Sequence, residues 1–291
     1  MHPLQSFTYG PAVPTMAIIW IWQGCIERLV DWRPDDLEAP REKLTGPVII
    51  KGGASKPWIQ FSDQPVHSLV VLFRPEAMRQ LFGLEPADWM DQVRSVQDGD
   101  LSARWIDLSR RILSAKDSGT ALSMLYGELE HQLGQSKTFS SDQEPELAGD
   151  WVAHLHALAP RLSRRSLQLK VKDLTGTTIR QLTRLIRIES LALKISRHYF
   201  DGQQREDKRL GDLAAESEFA DQAHMNREVR RAAGFGMRET LLRMIHDESF
   251  WLYRARLSLH LNPRSAPGIR GEARNLVSSG HASAGSERPA P

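Results

Sequence analysis

The spacing of apolar and polar positions along this chain changes character near residue 75. Before it, four short runs rich in Ile, Val and aromatic residues, Ala17 to Trp22, Pro47 to Lys51, Pro57 to Phe61 and Val66 to Phe73, stand between turn residues. Gly52-Gly53 and Asp63 to Pro65 punctuate them, a pattern that predicts short strands. After Pro75 the apolar residues recur three and four apart. That spacing predicts helices over Glu76 to Gly83, Ala87 to Val93, Leu101 to Ala115 and Ser118 to Leu133. Trp105, Leu108 and Ile112 of the third helix and Leu122, Leu125 and Leu129 of the fourth turn inward. Residues 134–150, GQSKTFSSDQEPELAGD, are polar and carry Gly and Pro, so they read as a linker.

Helical spacing resumes beyond the linker. Ser163 stands where an N-cap belongs, Leu167 and Val171 face inward, and Gly176 ends the helix. A longer amphipathic helix follows from Ile179 to Ser196, with Leu182, Leu185, Ile186 and Leu193 on its apolar side. Residues 210–243 then read as a helix-turn-helix. Its first helix spans Leu210 to Glu216, with Leu213 and Ala214 inward. The turn spans Ser217 to Ala220, with Phe219 as an apolar plug. Asp221 caps the second helix, whose buried stripe is Met225, Val229 and Ala232. Gln222, His224, Arg227 and Arg231 are left on the polar face, as insertion into a major groove requires.

This last segment resembles the second helix-turn-helix of the AraC/XylS-type transcription regulators, whose pattern is roughly I-A-x-x-x-G-F-x-D-Q-S-x-F-x-R-x-F-K. The matching residues are Leu213, Ala214, Phe219, Asp221, Gln222, Met225, Arg227, Val229 and Arg230, with Gly234 closing the helix. Glu218 stands where the family usually has Gly, Ala223 replaces a common Ser, and Met237 replaces a Pro. Residues 162–196 resemble the recognition helix of the family's first unit and the linker helix after it. There Leu169 occupies the position of the family's usual base-reading Arg, and Pro160 interrupts the run before Ser163. Phe250 to Arg254, FWLYR, is similar to the closing helix of one branch. The resemblance implies a sequence-specific transcription factor that contacts double-stranded DNA through Arg164, Arg165, Gln168, Lys170 and Lys172 of the first unit and Gln222, Ala223, His224, Arg227 and Arg231 of the second.

Charge points the same way without any family. Residues 1–150 hold 14 Lys or Arg against 21 Asp or Glu, a net of −7, while residues 151–291 hold 24 against 15, a net of +9. Such asymmetry suits a polyanion partner for the second half, and Lys and Arg on phosphate supply most non-specific affinity for DNA. RNA fits less well, because nothing resembles an aromatic stacking sheet.

The chain of 291 residues is long enough for two domains. We expect an α+β protein: a β-rich N-terminal domain with following helices (1–133), the linker (134–150), an all-α domain of two helix-turn-helix units joined by a linker helix (151–258), and a disordered tail (259–291). Fragment 141–258 is then expected to fold alone. The apolar strands of the first domain suit a small-molecule effector pocket or a homodimer face, and periodicity does not choose between them.

The single Cys25, in an apolar strand-like context, reads as a small buried hydrophobe and suits a reducing cytoplasm. His154 and His156 are two apart and share no helix face, so no metal site is expected. Gly234-Phe235-Gly236 lacks the Lys-Ser/Thr of a phosphate loop. No cofactor, no membrane span and no catalytic constellation are expected. The competing reading is a ligand-binding or interaction module whose C-terminal helices no longer bind specific DNA.

Overall fold

The computed structural model describes residues 6–31, 33, 36–134, 162–200, 215–217 and 219–255. The linker beyond Gly134, the run Trp151 to Pro160 with its two histidines, most of the helix expected at Leu210 to Glu216 (including Leu213 and Ala214), Glu218, the Leu193 side chain and the tail all lie outside the described residues.

The N-terminal domain is a pair of antiparallel four-stranded sheets. The strands are β1 (Ser6–Gly10), β2 (Met16–Gln23), β3 (Ile26–Leu29), β4 (Arg41–Leu44), β5 (Val48–Lys51), β6 (Trp58–Ser62), β7 (His67–Phe73) and β8 (Val93–Ser95). One sheet has the order β1-β6-β3-β4 and the other β7-β2-β5-β8. The four expected runs are β2, β5, β6 and β7. Strand β2 is apolar at nearly every position because both of its faces are covered. Ala17, Ile19 and Ile21 meet Ile26 and Leu44 of the other sheet, whereas Met16, Ile18 and Trp20 pack against the helical layer.

That layer is α1 (Pro75–Phe82), α2 (Ala103–Leu113) and α3 (Ser118–Gly134). Trp105, Leu108 and Ile112 are buried as their spacing requires, as is Leu125, while Leu122 and Leu129 are half-buried. The indole N–H groups that this packing buries find partners: Trp20 donates to Ser109 Oγ at 3.0 Å and Trp105 to the Leu81 carbonyl at 2.6 Å. Each would otherwise be left unsatisfied in an apolar layer.

Two expectations are corrected here. Ala87 to Val93 is not a helix. Residues 86–91 form turns, Asp91 takes φ 61°, and Val93 opens β8 by pairing with Lys51. The ladder to β5 outweighs the weak local helical period. Cys25 is not a buried hydrophobe either: it follows Gly24 (φ 87°) in the β2–β3 turn, half-exposed, with its Sγ donating to Asp63 Oδ1 at 3.8 Å.

The C-terminal half supplies α4 (Arg164–Thr175), α5 (Ile179–Phe200), α6 (Gln222–Ala233) and α7 (Met237–His246), then a 3-10 turn, Glu248–Phe250, and a helical stretch at 251–255. Together the two halves form the expected α+β architecture. They also share a core. Tyr9, Leu29, Ile59 and Phe61 of the first sheet pack in one cluster with Phe219, Met225, Val229, Phe235, Met244 and Phe250. Tyr9 stacks on Phe250 with ring centroids 4.9 Å apart. The Ala12 amide donates to the Ala232 carbonyl at 2.8 Å, and Trp251 Nε1 donates to Thr8 Oγ1 at 3.2 Å. Tyr9, Leu29, Ala39, Ile59 and Phe61, five of the fifteen buried residues of this core, lie outside fragment 141–258. Among the described residues no helix is long and apolar enough to cross a membrane.

Candidate nucleic-acid interface

Helix α4 begins where its cap predicts. Ser163 is extended, and its Oγ accepts the Ser166 amide at 3.2 Å. At the far end Gly176, at φ 71°, closes the helix by donating its N–H to the Lys172 carbonyl. Val171 and Leu182 are buried together between α4 and α5, and Thr175, fully buried, donates to the Val171 carbonyl at 2.8 Å. Arg164, Arg165, Gln168, Leu169, Lys170 and Lys172 are all exposed; Arg165, Leu169 and Lys172 lie on the side away from Val171, while Arg164 is in the open first turn and Gln168 borders the buried stripe. The sequence-predicted residues of the first unit are therefore all exposed on one helix, spread around more than half of its circumference.

The N-terminal domain grips this unit at its C-terminal end. Arg79 of α1 donates to Asp173 Oδ2 at 3.0 Å, to Oδ1 at 3.2 Å and to the Asp173 carbonyl at 2.5 Å, and also pairs with Glu85 at 2.6 Å. The hydrogen bond from Arg79 is the main reason the Asp173 carboxyl is held below the usual carboxylate range. Lys170 lies 3.8 Å from the same carboxylate.

Helix α6 repeats the arrangement. Asp221 is extended and its Oδ1 accepts the His224 amide at 2.5 Å, while Gly234 at φ 86° ends the helix. Met225, Val229, Ala232 and Ala233 are buried, and Phe219 is buried before the cap. Asn226 Oδ1 accepts the Met237 amide at 2.7 Å, which fixes the start of α7 against α6. Gln222, Ala223 and Arg227 are exposed on the outer face.

Two of the expected contacts are engaged elsewhere. His224 is half-buried: its Nδ1 accepts the Ala220 amide at 3.4 Å and its ring meets the edge of Phe219. Arg231 is ion-paired with Glu228. Glu228 itself went unnoticed in the sequence. It is 8% exposed and also faces Arg184 of α5 at 3.5 Å, so a buried carboxylate ties α6 to α5. Its only sequence signal is the Glu-to-Arg spacing of three residues.

Arg230 and Arg231 also border a cavity of about 750 Å³ between the first domain and α6. Its apolar wall includes Ile19, Ile26, Leu44, Ile49 and Ile59, and its basic rim includes Arg28 and Lys51. Lys51 is buried, with its Nζ 4.9 Å from the centre of the Trp58 ring, and the Trp58 indole N–H is buried without a hydrogen-bond partner. Among the described residues no group of three His, Cys, Asp or Glu side chains could hold a metal ion.

No family model matches the chain, and no curated protein matches it. Among solved structures it is similar to ToxT from Vibrio cholerae at 12% identity, with a TM-score of 0.38 over 82% of this chain and 97% of that one. It is also similar to ToxT from Vibrio cholerae O395 bound to (E)-4-(8-methylnaphthalen-1-yl)but-3-enoic acid, at 12% identity and a TM-score of 0.36 over 82% and 97%. Unsaturated fatty acid bound ToxT from Vibrio cholerae strain SCE256 is a third, at 14% identity and a TM-score of 0.36 over 82% and 94%. At this level of likeness the function of the chain has to come from its own residues.

Proposed function

We propose that this chain is a sequence-specific, DNA-binding transcription regulator of the AraC type. The observation that carries the reading is the pair of capped helices α4 and α6, each with a buried stripe and a set of exposed base- or phosphate-competent side chains. In this reading Gln222, Ala223 and Arg227 meet base edges from α6, and Gln168 does so from α4. Arg pairs well with guanine and Gln with adenine because each presents two groups in the plane of the base. Arg164, Arg165, Lys170 and Lys172 hold phosphates and set the register.

The inter-domain cavity is the proposed effector site. Its size falls within the range of small-molecule pockets, and its apolar wall with a basic rim suits an anionic, largely apolar ligand. Arg230 and Arg231 belong to α6, so an occupant that touches them gains a contact that depends on how α6 is docked. A ligand shifts a conformational equilibrium only through such a difference.

Selection from random-sequence duplex DNA with the full-length protein tests the proposal. Enrichment of a shared sequence, bound less tightly as salt rises, is the expected result. Failure to enrich any sequence would leave the interaction module with degenerate helices as the better description.

A further inference from the structure

Leu169 is 61% exposed, more than Leu72, Leu242 or Ile245. Single exposed apolar side chains are common on protein surfaces and need no explanation by themselves. The position of this one is what matters. At about 100° per residue Leu169 lies nearly opposite Val171, in the middle of the outward face of α4. Val171 is 1% exposed and anchors the buried stripe. Around Leu169 on the outward face are Arg165, Ser166 and Lys172, all exposed. The remaining neighbour, Asp173, has its charge matched by Arg79. The face is thus an apolar centre with two cations, Arg165 and Lys172, along one side, and Ser166 and the Arg79-paired Asp173 along the other.

Cations along one side of a helix recruit a phosphate strand at the edge of a groove, and what lies beside that strand, against the apolar centre, is the groove floor. In the major groove the one apolar group on a base edge is the thymine 5-methyl, which apolar side chains contact. A Leu there cannot accept or donate a hydrogen bond, so it would strip water from a guanine or cytosine edge without replacing it. We infer that Leu169 is a specificity-determining residue that reads thymine through its 5-methyl group. The inference rests on the DNA-binding reading above and adds to it that the first unit selects sequence by apolar contact rather than by an Arg.

Replacing thymine by deoxyuridine removes only the methyl group, which makes the test specific. Each thymine of a selected duplex is changed in turn, and affinity is measured for the full-length protein and for Leu169→Ala. The high exposure of Leu169 means that this variant keeps its fold. One or two thymines should each lose about fourfold in affinity for the parent, the equivalent of one buried CH₂ group. The same changes should leave Leu169→Ala unaffected. Leu169→Arg should move the preference at that position from thymine toward guanine. Equal sensitivity in parent and Leu169→Ala, or none in either, would overturn the inference while leaving specific binding in place. If no duplex is enriched in the first place, the DNA-binding reading and this inference fail together.

Discussion

Gly83 and Gly176 both terminate helices at φ 71°, yet their surroundings differ. A Cβ on Gly83 would meet nothing within 4 Å, whereas one on Gly176 would lie 2.6 Å from the Pro86 carbonyl oxygen and 3.1 Å from Met90 Cε. Alanine at either position pays the left-handed backbone penalty, about 1–2 kcal/mol. At Gly176 there is the clash as well, and its partner is backbone from the first domain, so the two halves must separate by several tenths of an ångström. Overpacking of this kind costs about 1–3 kcal/mol. Gly176→Ala should therefore destabilise by about 2–5 kcal/mol, and Gly83→Ala by the smaller backbone share alone. Urea denaturation at matched slopes reads the difference between the variants. Equal losses for the two would refute the claim that residues 85–90 press on the C-terminal end of α4.

Other consequences can be checked separately. Lys172→Ala should weaken binding about equally for all sequences and flatten the salt slope by about one unit, read from affinity against log salt; a changed sequence preference with the slope intact would contradict a phosphate role. Leu185→Pro should break α5 at a cost of about 3 kcal/mol or more and abolish binding of the selected duplex; retained binding would mean that the two units act independently. Asp173 is depressed by Arg79, so its contribution is present above the ordinary Asp value near about pH 4 and lost as pH falls through the lower folded value. Arg79→Gln should accordingly flatten the acid limb of stability against pH, and an unchanged limb would show that the contact carries no weight.

What could be read from the sequence was local. Ser163, Gly176, Asp221 and Gly234 announce helix ends because a cap is decided by residues within one turn of it. The apolar runs of β2, β5, β6 and β7 were legible because burial on both faces or one leaves a continuous or alternating pattern. Strands β3 (IERL) and β4 (REKL) were not legible: each is four residues long, with two charged residues in the first and three in the second, and is held by its neighbours rather than by its own composition. Helical spacing in Ala87 to Val93 lost to a ladder formed with residues some 40 positions earlier. The candidate site divides in the same way. The outward placement of Arg165 and Arg227 follows from helical period, and the exposure of Arg164 and Gln222 from their place in the first turn after each cap. The engagement of His224 by Phe219 and Ala220 and of Arg231 by Glu228 is local but depends on rotamers that spacing does not fix, whereas the contact of Glu228 with Arg184 and the cavity behind α6 depend on partners brought together from across the chain. The core shared by Tyr9 and Phe250 joins residues 241 positions apart, which no local pattern records.

The central claim, that α6 reads base edges, is tested most directly by binding of the selected duplex and of a scrambled duplex by the full-length protein and by Arg227→Ala. Arg227 is exposed, so circular dichroism and thermal melting should coincide for the two proteins. Loss of a bidentate base contact, about 1–3 kcal/mol, should weaken binding to the selected duplex about tenfold or more and leave the scrambled duplex nearly unchanged. Equal affinity of parent and Arg227→Ala for the selected duplex would contradict the account.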